Sequence, residues 1–286
     1  MFDFIRHLYK GIIKLFAGYG IGKIPFVIWL DHQIVRTLRK DTVRVGKHLM
    51  WLDSADSLRL SLNGEFEPFE TGLIKKEIAA GSVIIDIGAN IGYHTLLFAE
   101  YAGDSGKVFS FEPEPQNFSL LTRNVALNAY HNVKLINAAV SDKNETITLF
   151  LSKDNKGDHQ IYNSGERREL QRVQAVVLDD YFKNELDRIN LIKMDIQGAE
   201  GKALAGMRML MKRNPSVKLF TEFWPAGMKK CGVTAEAFLR MLQEYHFVFF
   251  DIDEVHKRLI KTDVAQLLAR YTVARNNCAN LFCTHE

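Results

Sequence analysis

The sequence predicts an α/β fold, a mostly parallel sheet with helices on both faces, and three observations carry that prediction. Short apolar runs of strand length recur from residue 82 onward, among them "SVIID", "GKVFSFEP", "NVKLINAAV", "INLIKMD" and "FVFFDID". Most are separated by segments whose apolar residues repeat at helical spacing. Several runs close on a carboxylate or a glycine, and sheets of this kind bind their ligands outside the carboxyl ends of the strands.

Taken in order, "TVRVGKHLMWLD" and "SLRLSLNGEFEPF" alternate apolar with polar residues and predict short strands or a hairpin ahead of the main sheet. Leu73, Ile74, Ile78 and Ala79 fit a helix ending at Gly81. "SVIID" is then the first core strand, and "TLLFAE" continues as helix after a glycine turn. "GKVFSFEP" is the second strand. "PQNFSLLTRNVALNA" is a helix with Pro115 in its first turn, where the missing N–H costs nothing. "NVKLINAAV" is the third strand and "ETITLFLS" a further extended segment. "INLIKMD" is followed by helix "GKALAGMRMLMK", "VKLFTEFW" by helix "AEAFLRMLQEY", and "FVFFDID" and "ANLFCTH" close the sheet.

The chain has 286 residues, of which 47% are hydrophobic and 25% charged, enough for one large domain with an extension. A net charge of +3 is too small to indicate a nucleic-acid partner. The charge is unevenly placed, since residues 1–50 hold nine Lys or Arg against three Asp. We expect a basic extension over 1–45 and a main domain over 46–286, divided into strands and a helix (46–80) and the core (81–286). Phe2, Phe4, Ile5, Leu8, Ile12, Leu15 and Phe16 share one helical face, suited either to an anionic membrane surface or to docking on the protein itself. Lys14, Lys23 and Pro25 interrupt the apolar stretch 11–30, which argues against a spanning helix or a signal peptide. Cys231, Cys278 and Cys283 form no C-x-x-C pair, so neither a zinc nor a disulfide framework is expected. A cytoplasmic location, peripheral at a membrane if the basic segment binds lipid, is the simplest expectation.

The stretch "VIIDIGANIGYHT" is built to let a ligand approach backbone. It lacks the G-x-x-x-x-G-K-[ST] of a phosphate loop, because Tyr93 follows Gly92 where lysine would stand. A dinucleotide turn would have three glycines, and Asp86 would repel a pyrophosphate. S-adenosylmethionine has no phosphate and carries an ammonium and a sulfonium, so a carboxylate beside the turn attracts it. Glu112 stands 20 residues beyond Gly92, at the end of the second strand, placed to accept ribose hydroxyl protons.

These blocks resemble the FkbM-type methyltransferases, a branch of the class I adenosylmethionine-dependent enzymes. The carriers are "GEFEPFE", "DIGANIGYHT", "FEPEPQNFSLLTRNVALN", "AAVSD", "KMDIQGAE" and "TEFWP". Gln197 departs from the pattern, standing where the family usually has glutamate. The resemblance implies a Rossmann-like sheet of seven strands, ordered 3-2-1-4-5-7-6 with the seventh antiparallel. It implies Asp86, Gly88, Asn90, Gly92 and Tyr93 at the methionine end of the cofactor, Glu112 and Pro113 at the ribose, and the Ala139 backbone at the adenine. It also implies that Glu67 closes over the site with Glu70, and that Asp195 borders both cofactor and acceptor.

A methyl acceptor that is a hydroxyl gains from losing its proton as it attacks. Asp195 is the first candidate base, with fixing the cofactor ammonium as its alternative role. Glu222 is the second and His94 the third, although His94 also suits a packing role. Glu200 fits the start of a helix, where its charge meets the N-terminal dipole. No metal is expected, because only Asp195 and Glu222 converge as hard ligands. The expected activity is O-methylation of a sugar, glycolipid or similar small metabolite. RNA ribose methylation and a non-catalytic binding module on the same fold are the alternatives, and oligomeric state is open.

Overall fold

The computed structural model describes residues 39–285, apart from residue 154 and residues 184–187, together with the isolated positions 27, 34 and 37. The amphipathic segment expected at the start of the chain lies outside the described residues. Among the described residues no helix is long and apolar enough to cross a membrane.

A hairpin of β1 (Thr42–Val45) and β2 (His48–Trp51) comes first and pairs antiparallel, with Val43 opposite Met50. It begins ahead of the expected boundary at residue 46. Val43, Val45 and Met50 are buried in one cluster with Leu96 and Leu121, so the hairpin is packed onto the main domain. The second alternating stretch is not a strand. It forms α1 (Leu60–Asn63) and leads into α2 (Pro68–Glu77). The reason is local: Asp56 accepts the Ser61 N–H at 3.1 Å, and Arg59 takes a left-handed φ of 52°, which together start a helical turn that alternation alone does not reveal.

The core alternates β3 (Val83–Ile87), α3 (Tyr93–Ala102), β4 (Lys107–Phe111), α4 (Pro115–Leu127) and β5 (Val133–Ile136). The expected third strand splits after β5. Ala139–Val140 becomes β6, which joins β7 (Glu145–Leu151) and β8 (Glu169–Val176) in a separate sheet of order β6-β8-β7. After α5 (Leu178–Tyr181) come β9 (Leu191–Met194), α6 (Glu200–Ala205) and α7 (Arg208–Arg213). The sequence predicts one helix where α6 and α7 stand. Gly206 separates them because its backbone presses on β6, and a Cβ there would lie 2.0 Å from the Ser141 carbonyl oxygen. The chain continues through β10 (Lys218–Phe223), α8 (Pro225–Lys230), α9 (Ala235–Glu244), β11 (Val248–Asp253), β12 (Arg258–Thr262), α10 (Val264–Arg270) and β13 (Ala279–Thr284).

The main sheet runs β12-β11-β13-β10-β9-β3-β4-β5. Strands β5, β4, β3, β9 and β10 are parallel, and β13 is antiparallel to both β10 and β11. The eighth strand, β12, adds an antiparallel edge beyond the seven expected. Successive residues of β3 face opposite layers. Ile84 packs with Ile74 and Phe98 of α2 and α3, while Ile85 and Ile87 pack with Leu204, Leu210 and Leu239 of α6, α7 and α9. Both faces are therefore covered, which is why the central strands read as continuous apolar runs.

Candidate functional site

Two parallel neighbours, β3 and β9, end side by side, and their turns form one crevice. At the end of β3 the Gly88 and Ala89 N–H groups both donate to the Phe111 carbonyl, each at 3.0 Å. Gly88 has φ 85°, and a Cβ would meet the Asp195 carbonyl oxygen at 2.0 Å, so the two turns touch through a position only glycine can fill. Asn90 is also left-handed, at φ 51°, and Gly92 (φ 96°) caps α3. Asn90 donates its N–H to Glu112 Oε2 at 2.8 Å, and Glu112 Oε1 accepts the Glu114 N–H at 2.9 Å. Glu112 is thus held in the wall of a cavity it shares with Gly88, Asn90, Pro113 and Asn117. Burial pushes its carboxyl up to about 8, against the lowering effect of the two amides.

The cavity widens over an apolar patch made by Phe111, Ala138, Ala139, Val140, Ile147 and Leu149. The segment between β7 and β8 arches across, contributing Lys156, Gly157, His159 and Ile161. It is tied down from two sides, because Lys156 N donates to Ser57 Oγ at 2.6 Å and Asn117 Nδ2 donates to the Lys156 carbonyl at 2.9 Å. Arg168 closes the loop internally, with Nη2 donating to Asp158 Oδ2 at 2.7 Å and Glu166 Oε2 at 2.8 Å.

Of the residues singled out from sequence, Gly88, Asn90, Tyr93, His94, Glu112, Pro113, Ala139 and Asp195 all line this cavity. Asp86 does not, and the electrostatic part assigned to it changes. Its side chain is buried beneath the turn, where Thr95 Oγ1 donates to Oδ2 at 2.6 Å. Burial raises it to about 6, and Lys193 partly offsets that. Its contact is with the first turn of α3, not with the cavity. Gly92 likewise shapes the turn without reaching the wall; a Cβ there would lie 2.8 Å from Leu121 Cδ1. Tyr93 accepts the Phe66 N–H on its hydroxyl at 3.1 Å, fixing the 64–67 segment over the site. His94 packs in parallel against Phe98 with ring centroids 5.9 Å apart, and its Nε2 is buried without a partner among the described residues. Burial, then Lys193, pushes its pKa well below the usual imidazole range, so the ring is neutral.

The β9 side centres on Lys193, a buried lysine in the cavity wall that sequence reasoning passed over. Its Nζ lies 3.6 Å from Asp195 Oδ2. Burial opposes its charge, yet Asp195, Glu70, Glu67 and Asp86 together raise its pKa, so it stays an ammonium. The signal was a lone lysine inside the apolar run "NLIKMD", where a charge must find partners to be tolerated. Gln197 Nε2 donates to the other oxygen of Asp195, Oδ1, at 3.1 Å. Glu200, fully buried, accepts the Ile196 N–H at 3.0 Å and the Gly198 N–H at 3.3 Å, holding this turn as Glu112 holds the other.

Glu67 and Glu222 do not line the cavity but lie near enough to Asp195 to feel its charge. Asn280 Nδ2 donates to Glu67 Oε1 at 3.1 Å and also to Glu70, which ties β13 to the start of α2. Burial pushes Glu67 up to about 8, with Glu70 adding to it. Glu222 is pushed well above the usual carboxylate range by burial and then by Asp195 and Glu200. Each keeps one buried oxygen, Oε2, with no partner among the described residues. No group of three or more His, Cys, Asp or Glu side chains among the described residues is placed to hold a metal ion.

The cavity suits a nucleoside. A fixed carboxyl at Glu112 meets an apolar patch, a glycine turn without a Cβ brings backbone close, and the buried Asn90 Oδ1 has no partner among the described residues.

Residues 86–258 match the Methyltransferase FkbM domain family, more than half of the chain. The chain is 26% identical over 231 residues to the 2-O-methyltransferase NoeI of Sinorhizobium fredii, covering 72% of this chain and 93% of that protein. It is 28% identical over 155 residues to methyltransferase sdnD of Sordaria araneosa (43% of this chain, 60% of that protein). It is 28% identical over 137 residues to the hexuronic acid methyltransferase AglP of Haloferax volcanii (47% and 54%). The chain thus spans about three-fifths of sdnD and about half of AglP. Among solved structures, the methyltransferase FkbM of Methylobacillus flagellatus overlays with a TM-score of 0.41 at 14% identity, covering 79% of this chain and 53% of that one.

Proposed function

Because the chain belongs to the methyltransferase FkbM domain family, whose cofactor is S-adenosylmethionine, we propose that it transfers a methyl group to a hydroxyl of a sugar-like metabolite. The observation that carries this reading is the placement of Asp195: its carboxylate shares one cavity with the Gly88–Asn90 turn and Glu112. The names of NoeI and AglP, a 2-O-methyltransferase and a hexuronic acid methyltransferase, support a hydroxyl-bearing carbohydrate acceptor.

In this reading Glu112 accepts the ribose hydroxyl protons, Phe111 and the 138–140 backbone wall the adenine, and Gly88 and Asn90 border the methionine part. When bound, the cofactor supplies a methyl group on a positively charged sulfur, an electrophile that needs no further activation. The protein's task is alignment, which contributes up to about 7–11 kcal/mol in well-oriented reactions. Asp195 takes the proton from the acceptor hydroxyl. His94 is too weakly basic for that task and Glu222 does not line the cavity, whereas Asp195 lies open to it beside an ammonium.

Tritium-labelled cofactor incubated with fractionated carbohydrate and lipid extracts tests the reading, with the labelled product identified by mass. Label on a carbohydrate oxygen is the expected result. Label only on RNA or protein would overturn the acceptor class, and no calorimetric binding of S-adenosylmethionine at millimolar concentration would overturn the enzyme.

A further inference from the structure

We propose that Gln197 is a positioning residue for the base, its side-chain amide and the Lys193 ammonium each holding one of the two oxygens of Asp195. The inference rests on the reading of Asp195 above and deepens it. Lys193 Nζ sits 3.6 Å from Asp195 Oδ2, which is charge pairing without a tight hydrogen bond. That contact alone leaves the carboxylate free to turn about its own bond. Gln197 Nε2, at 3.1 Å from Oδ1, fixes the plane. Both clamps line the same cavity as Asp195, so the oxygens are set where an acceptor hydroxyl arrives.

Two further features favour an amide here. Gln197 is left-handed, at φ 55°, a conformation side chains other than Asn, Asp and Gly seldom take. The fold holds it there through Glu200, which captures the N–H groups on either side of it, at Ile196 and Gly198. The side chain is thereby aimed at Asp195 by buried hydrogen bonds, not left to wander. The surroundings are also short of donors: Glu67, Glu70, Asp86, Glu200 and Glu222 crowd the Lys193–Asp195 pair, with Asn280 already engaged by Glu67 and Glu70. A glutamate at 197 would add another carboxylate to that set and could donate nothing when ionised.

The test uses the full chain, tritium-labelled S-adenosylmethionine and the extract fraction that the wild type labels. Three variants separate the roles. Gln197→Gly relieves the backbone and removes the donor, Gln197→Met keeps the bulk without the donor, and Gln197→Glu keeps the shape and adds charge. Each should lower kcat about tenfold or more, as expected for losing a hydrogen bond to a charged group. KM for S-adenosylmethionine and its calorimetric affinity should stay within about twofold, because the clamp acts on the base. Wild-type kcat in the Gly and Met variants would overturn the proposal while leaving the base intact. Wild-type kcat in an Asp195→Asn control would sink the base itself, and a wild type that labels nothing would sink the methyl-transfer reading and this one with it.

Discussion

The turns after β3 and β9 are built on one plan, and on the proposed function their difference separates holding from reacting. Each places a left-handed non-glycine residue at its apex, Asn90 at φ 51° and Gln197 at φ 55°. Each has a glycine pressed against other backbone, Gly88 on Asp195 and Gly198 on Gly227. Each is locked by a glutamate that captures backbone N–H groups, Glu112 in the first and Glu200 in the second. In the β3 turn the locking carboxyl itself faces the cavity. In the β9 turn Glu200 is fully buried, and the side chains of Asp195 and Gln197 face the cavity instead. On the proposed function, a ligand that must only be bound meets fixed backbone and one rigid acid, and a proton that must move meets side chains with neighbours that tune them.

Four substitutions probe that division. Asp195→Asn should cost the most, lowering methyl transfer by about a hundredfold or more while cofactor affinity measured by calorimetry changes little. A parallel loss of affinity would place Asp195 with the binding turn. Gly88→Ala should come next. With 2.0 Å between the new Cβ and the Asp195 oxygen, the turns must separate, lowering stability by about 3 kcal/mol and abolishing cofactor binding, as thermal melting and calorimetry would show.

Glu112→Gln tests the first lock through its pH dependence. The folded carboxyl is raised to about 8 from an ordinary value of 4.5. Between those values the folded protein binds more protons than the unfolded chain, so this group erodes stability as pH rises through that window. The glutamine variant should melt with a flatter pH dependence from about pH 5 to 8, yet bind S-adenosylmethionine about tenfold more weakly. Glu67 and Glu200, raised to about 8 and about 7, leave a residual slope of the same sign. Glu200→Gln should have the smallest effect, within about 1 kcal/mol of wild-type stability, since an amide oxygen still accepts the Ile196 and Gly198 N–H groups. A large loss of activity there would mean that the second lock also takes part in the chemistry.

The sheet was legible because its central strands are buried on both faces and must be apolar throughout. Val83–Ile87 and Leu191–Met194 could hardly read otherwise. Residues 58–62 misled for the opposite reason: three alternating leucines satisfy strand periodicity, but Asp56 caps a helical turn through Ser61. Strand β8 escaped notice because its buried Val173 and Ala175 stand among the polar Gln171, Arg172 and Gln174, and its pairing with β7 is a long-range event. In the cavity wall, Gly88 and Glu112 were readable from spacing, since close backbone approach admits few residue types, whereas Gly92 shapes the turn from outside the wall. Asp86 was misplaced because a carboxylate at a strand end can face either the cavity or the helix beneath it, and Thr95 draws it to the helix. Lys193 needed the fold, because only folding brings Glu67 and Glu70, at the start of α2, to the Lys193–Asp195 pair.

The cavity roof is stitched from residues far apart in the chain, with Lys156 bonded to Ser57 and to Asn117. No local fragment can rebuild such a pocket, so the nucleoside recognises only the completed fold. Occupancy should therefore register in the melting temperature, worth about 2.7 kcal/mol at a hundredfold excess of ligand over its dissociation constant. A thermal-shift screen of nucleoside analogues would then rank their affinities before any acceptor is known.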